Sequence, residues 1–153
     1  MNRTENAVSK FKEGFNCAQS VLYSYADELG LSKDLATRIA TGFGGGMGRK
    51  QEVCGAVTGA LMVIGLMYGR GDGEGKEKQE ITYSKVQFFI DSFTNEFGTV
   101  NCKGLLNGCR LLDPEGQKAF KENKLILRCH EYVRASCRIL DQIRDADNDG
   151  RIS

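Results

Sequence analysis

Six cysteines, Cys17, Cys54, Cys102, Cys109, Cys129 and Cys137, are the residues of this chain best able to do chemistry. Thiolates attack disulfides and bind soft metals, so they admit thiol redox chemistry, an iron–sulfur cluster or a zinc site. No two form a Cys-x-x-Cys pair. That removes the thioredoxin-type motif, the zinc-ribbon spacing and haem attachment. Any site must be assembled from distant segments. For each cysteine taken alone the competing role is a small buried hydrophobe, and free cysteine is among the most buried residue types. Cys137 fits that role best, on a stripe with Val133 and Leu140, and Cys109 in NGCRLL is ambiguous.

Two cysteines carry a local hint. Asn16 is a good helix N-cap, which places Cys17 in a first helical turn. Cys54 follows the glycine-rich run GFGGGMG at the start of an apolar segment. Free amide N–H groups and the positive end of a helix dipole stabilise a thiolate, so both positions predict a lowered pKa.

The elements that must position these residues read as helices. A short amphipathic helix spans Thr4 to Phe11, and a second runs from Asn16 to Leu29, closed by Gly30. A third opens at Ser32 or Asp34 and ends at Gly42, before the glycine-rich run that no helix tolerates. Residues 53–69 are uncharged and apolar, short for a membrane span and better read as a buried helix. In that helix Gly55, Gly59 and Ala60 allow close helix approach. Lys76 to Phe97 repeats apolar residues at three- and four-residue steps, with Gly98 as its stop. Asp113-Pro114 starts another helix, and the last runs from Lys124 to Ile143. The expected fold is all-α: a compact bundle of five or six helices around a central apolar, glycine-bearing helix. Residues 1–144 form one domain and residues 145–153 an acidic tail.

Composition narrows the function further. The 153 residues carry 21 Lys and Arg against 20 Asp and Glu, a net charge of +1. A nucleic-acid binder needs a basic excess, so nucleic acid is not an expected partner. One histidine rules out chemistry needing several imidazoles in a chain, and His130 is expected at the surface. The N-terminus has no apolar secretory region, which predicts a cytoplasmic protein whose cysteines do not staple the fold. GFGGGMG follows no strand and lacks the G-K-[ST] of a phosphate loop. Asp145, Asp147 and Asp149 match the opening of an EF-hand loop, but its twelfth-position acid would lie beyond Ser153. A calcium half-site and a solvated acidic tail are both open there.

Four cysteines with their flanks resemble a known family. FNCAQSVL surrounds Cys17, CGAVTG begins at Cys54 after GFGGGMG, Phe97-Gly98 precedes Cys102, and Cys129 lies in CHEYV. In these features, over roughly residues 8–143, the chain resembles the C_GCAxxG_C_C family, whose members are described as redox-active. The resemblance implies a compact helical domain with Cys17, Cys54, Cys102 and Cys129 as its signature. Some members are fused to electron-transfer modules, which implies an iron–sulfur cluster or a thiol redox centre served by a redox partner protein. Cys109 and Cys137 fall outside the signature. The leading expectation is electron transfer through an iron–sulfur cluster, of a type the sequence leaves open, held by the four signature cysteines. The alternatives are a thiol–disulfide oxidoreductase without a cofactor and a structural zinc domain. No membrane association is expected, and the apolar, glycine-bearing helix allows a homodimer.

Overall fold

A computed structural model describes residues 2–148. Among them the chain is all-α, with one isolated antiparallel bridge between Val53 and Asn101. Eight α-helices form where five or six were expected: α1 (Arg3–Lys12), α2 (Cys17–Ala26), α3 (Lys33–Ala40), α4 (Gly55–Tyr68), α5 (Lys76–Phe97), α6 (Cys102–Leu105), α7 (Pro114–Glu122) and α8 (Ile126–Asn148). The difference lies in short pieces. A single turn such as α6 is too brief to show periodicity, and it stands on its cap, Asn101, whose Oδ1 accepts from the Lys103 N–H at 3.1 Å.

Local chemistry explains most boundaries. Asn2 and Asn16 each form a reciprocal capping box, with Glu5 and Gln19 respectively. Gly30 and Gly98 close their segments with positive φ, 81° and 88°. The turn at Gly44–Met47 is hydrogen-bonded like a helix, but Gly45 and Gly46 are left-handed, so the chain folds back there.

Helix α4 packs against α2, α5 and α8. A Cβ on Gly59 would lie 2.8 Å from the Ala18 carbonyl oxygen, so the α2 and α4 backbones touch at that glycine. Phe89, Phe93, Val133, Leu140 and Ile143 are fully buried and join α5 to α8 through the core. Lys85 is also fully buried, its Nζ 3.1 Å from Asp147 Oδ1 and 5.1 Å from the centre of the Tyr68 ring. That contact ties the end of α8 to α5, and Ala146 is buried there as well. Residues 145–148, read from the sequence as the start of a tail, therefore continue the last helix. Among the described residues no helix is long and apolar enough to cross a membrane.

Candidate redox centre

Four helices start at one cavity of about 740 Å³, and each brings one signature cysteine to its wall. Cys17 is the first residue of α2, held by the Asn16–Gln19 capping box with both hydrogen bonds at 2.9 Å. Cys54 is the N-cap of α4, and the N–H groups of Ala56 and Val57 face its sulfur. Cys102 is the first residue of α6, and Cys129 sits in the first turn of α8. The backbone couples two of these segments. The Cys54 N–H donates to the Val100 carbonyl at 2.8 Å, and the Cys102 N–H donates to that of Glu52 at 2.7 Å.

The glycine-rich turn lets the wall close. Gly46 has φ 68°, and a Cβ there would lie 2.7 Å from the Gln51 Cα and 2.8 Å from the Cys102 Cβ. Gln51 is itself buried and left-handed, with φ 60°. Its Nε2 donates to the Cys109 carbonyl at 2.6 Å, and its Oε1 accepts from the Leu111 N–H at 2.9 Å. The same amide faces the Cys102 sulfur.

The thiols differ in acidity. Interaction with the Cys129 sulfur holds the Cys17 thiol well above the ordinary thiol range; burial adds to this. The same pairing with Cys17 favours the Cys129 thiolate and lowers its pKa against the opposing effect of burial. Burial pushes Cys54 up to about 12 and Cys102 up to about 11. The lowered pKa expected at Cys17 and Cys54 from their helix ends is therefore corrected: both are raised. A helix end contributes a fraction of a charge, whereas a desolvated thiolate loses its hydration outright. The acidic member of the set is Cys129.

The remaining sequence candidates lie elsewhere. Cys137 is fully buried in the main core, and desolvation raises it to about 12. Cys109 is half-buried on a smaller neighbouring cavity, its sulfur 3.1 Å from the Gly116 carbonyl oxygen. His130 packs edge-on against Phe11 at 5.2 Å, its pKa lowered by burial and by Lys12 and Arg134. Asp145 and Asp147 stand on helix α8, Asp147 against Lys85, while Asp149 lies outside the described residues.

Four thiols around one cavity suit an iron–sulfur cluster by donor chemistry. A single zinc ion is more demanding, because bonds of about 2.3 Å require its thiolates within about 4 Å of one another. Among the described residues no group of three or more His, Cys, Asp or Glu side chains is arranged to hold a metal ion. Within the set, Cys17 and Cys129 influence each other's acidity most strongly.

The rest of the wall was not singled out from the sequence. It includes Phe11, Phe15, Phe120, Tyr132 and Arg49. Phe15 and Phe11 precede Cys17 closely enough to have been suspected. Phe120 arrives from α7, and nothing local marks it.

No curated protein and no solved structure shows significant similarity to the chain. The family model described as "Putative redox-active protein (C_GCAxxG_C_C)" matches residues 15–143, a span that holds all four cavity cysteines. This chain belongs to the C_GCAxxG_C_C family.

Proposed function

We propose that the protein is a thiol–disulfide redox protein in which Cys129 is the attacking thiol and Cys17 the resolving one. The observation that carries this reading is that Cys17 and Cys129 line one cavity and that their interaction shifts their acidities in opposite directions. A thiolate held at Cys129 attacks a disulfide of the oxidised partner. One partner sulfur leaves as a thiolate, and a mixed disulfide forms on Cys129. Cys17 then gives up its proton and attacks the Cys129 sulfur, releasing the second partner sulfur. In sum, two protein thiols become one disulfide and the partner disulfide becomes two thiols. Cys54 and Cys102 keep their protons near neutrality and line the same cavity.

A second reading has one observation in its favour, the meeting of four cysteine-bearing helix starts at one cavity. In that reading Cys17, Cys54, Cys102 and Cys129 hold an iron–sulfur cluster, which supplies one-electron transfer when bound. Left-handed Gly46 then keeps backbone, without side-chain bulk, against Cys102.

Anaerobic purification separates the two readings. Reduced protein is analysed for iron and acid-labile sulfide, then mildly oxidised, and its free thiols are counted and mapped by mass. Loss of two thiols per chain as a Cys17–Cys129 disulfide, reversed by dithiothreitol, supports the first reading. Stoichiometric iron and sulfide, lost when any one of the four cysteines is replaced, overturns it in favour of the second.

A further inference from the structure

The cavity is larger and chemically more one-sided than four thiols require. Its volume of about 740 Å³ lies in the range of small-molecule sites, about 300–1,000 Å³. Phe11, Phe15, Phe120 and Tyr132 line it, and among the described residues no Asp or Glu does. Arg49 is the one charged side chain on that wall among the described residues. Its stem lies over Gly45, where an added Cβ would come 3.0 Å from the Arg49 Cγ. Among the described residues its guanidinium forms no ion pair, although carboxylates are nearly as abundant in the chain as basic groups. The starts of α2 and α4 face the same space and add positive potential. An exposed arginine on the wall of a cavity that also carries four aromatic rings and, among the described residues, no carboxylate favours a negatively charged ligand with a flat or apolar body.

We infer that the cavity binds a small anionic oxidant with an aromatic or apolar body, held by Arg49 and the four rings so that its disulfide faces Cys129. The inference rests on the thiol–disulfide reading above. It adds to that reading that the direct electron acceptor is a small molecule chosen by charge. The step is the exchange already balanced: protein dithiol plus one ligand disulfide gives protein disulfide plus two ligand thiols.

The test uses reduced full-length protein and two aromatic disulfides that differ in charge. 5,5′-Dithiobis(2-nitrobenzoate) carries a carboxylate on each ring, and 2,2′-dithiodipyridine is neutral. Each second-order rate is divided by that of the same reagent with 2-mercaptoethanol, which removes intrinsic reactivity. The normalised rates should favour the dianion by at least about tenfold, the scale of one charge-assisted hydrogen bond. Arg49→Gln should bring that ratio close to one, Arg49→Lys should restore most of it, and Lys50→Gln, a neighbouring cation off the cavity wall, should keep it. Added salt should shrink the wild-type preference. A normalised ratio near one in the wild type, or a ratio unchanged by Arg49→Gln, overturns the inference while leaving the dithiol cycle intact. Failure of both reagents to close a Cys17–Cys129 disulfide overturns the dithiol reading, and the inference with it.

Discussion

Cys129 and Cys137 lie on the same helix a little over two turns apart, about 12 Å along its axis. One stands in the first turn, half-buried on the wall of a cavity that Cys17 also lines. The other is sealed among Val133, Leu140 and Ile143, with the Tyr25 hydroxyl donating to its carbonyl at 3.1 Å. Burial drives Cys137 to about 12, while the Cys17 thiol draws Cys129 below the ordinary value. Residue type and helix are shared, so neither decides reactivity. What differs is which effect wins at the sulfur: hydrogen bonds from Ser24 and Tyr25 pull Cys137 down but burial outweighs them, whereas at Cys129 the interaction with Cys17 outweighs burial. The contrast extends to the whole molecule: α2, α4 and α8 each run from the thiol cavity at their N-terminal ends into an apolar core.

The largest test of this division exchanges the two thiols' fates. Cys129→Ser should lower the rate of disulfide formation by a neutral aromatic disulfide more than about 100-fold, because a hydroxyl does not form the attacking thiolate. Cys137→Ser should leave that rate within about twofold, since its sulfur never meets the cavity. Stopped-flow release of the coloured thiol, followed by mass mapping, reads both. Equal losses in the two variants would break the division.

Gly46 probes the cavity wall next. Gly46→Ala places a Cβ 2.7–2.8 Å from Gln51 and Cys102 in a left-handed conformation, so the wall must shift. Overpacking and strain together should cost about 2–4 kcal/mol, measured as a lowered denaturation midpoint at unchanged slope.

A pH profile sharpens the acidity contrast. The Cys129 pKa is lowered chiefly through its interaction with Cys17. Reaction with a neutral disulfide should therefore persist below the usual thiol range and fall as pH drops through the lowered pKa. Cys17→Ala removes that interaction and should move the inflection upward. Near neutrality this slows single-thiol capping of Cys129 by about tenfold for each pH increment moved. An inflection that stays in place would mean that another group sets the acidity.

Much of the scaffold was legible because its boundaries are made locally. Asn16 caps, Gly30 and Gly98 reverse the chain, and Asp113-Pro114 starts a helix, each through contacts within a few residues. The apolar run 53–69 and the three- and four-residue repeat of α5 announce helices by composition and period. The four cavity cysteines were legible as a set through family flanks. Their juxtaposition was not, because it depends on the Cys54 and Cys102 backbone bonds and on the reversal at Gly45 and Gly46. The acidity order was misread at Cys17 and Cys54 for a related reason. A helix start can be seen in sequence, whereas desolvation depends on how the whole cavity closes around it. Arg49 carried no local mark, since its meaning lies in the absence of carboxylates around the same space.

At the core end the expected effects are smaller. Cys137→Ala removes one buried sulfur and should cost about 1–2 kcal/mol, with thiol kinetics at Cys129 unchanged. Gly65 gives the last and smallest contrast. It lies inside α4, away from the cavity wall, and a Cβ there would meet nothing within 4 Å. Alanine restricts the unfolded chain and favours the helix, so Gly65→Ala should raise stability by about 0.5–1 kcal/mol. The same substitution at Gly59 would place its Cβ 2.8 Å from the Ala18 carbonyl oxygen and should destabilise, as at Gly46. Denaturation midpoints of the three alanine variants thus ask whether backbone packing against α2 and the thiol wall, rather than glycine content as such, constrains this helix. A loss of stability at Gly65 equal to that at Gly59 would show that glycine is needed in α4 away from its contact with α2 as well, and would break the contrast.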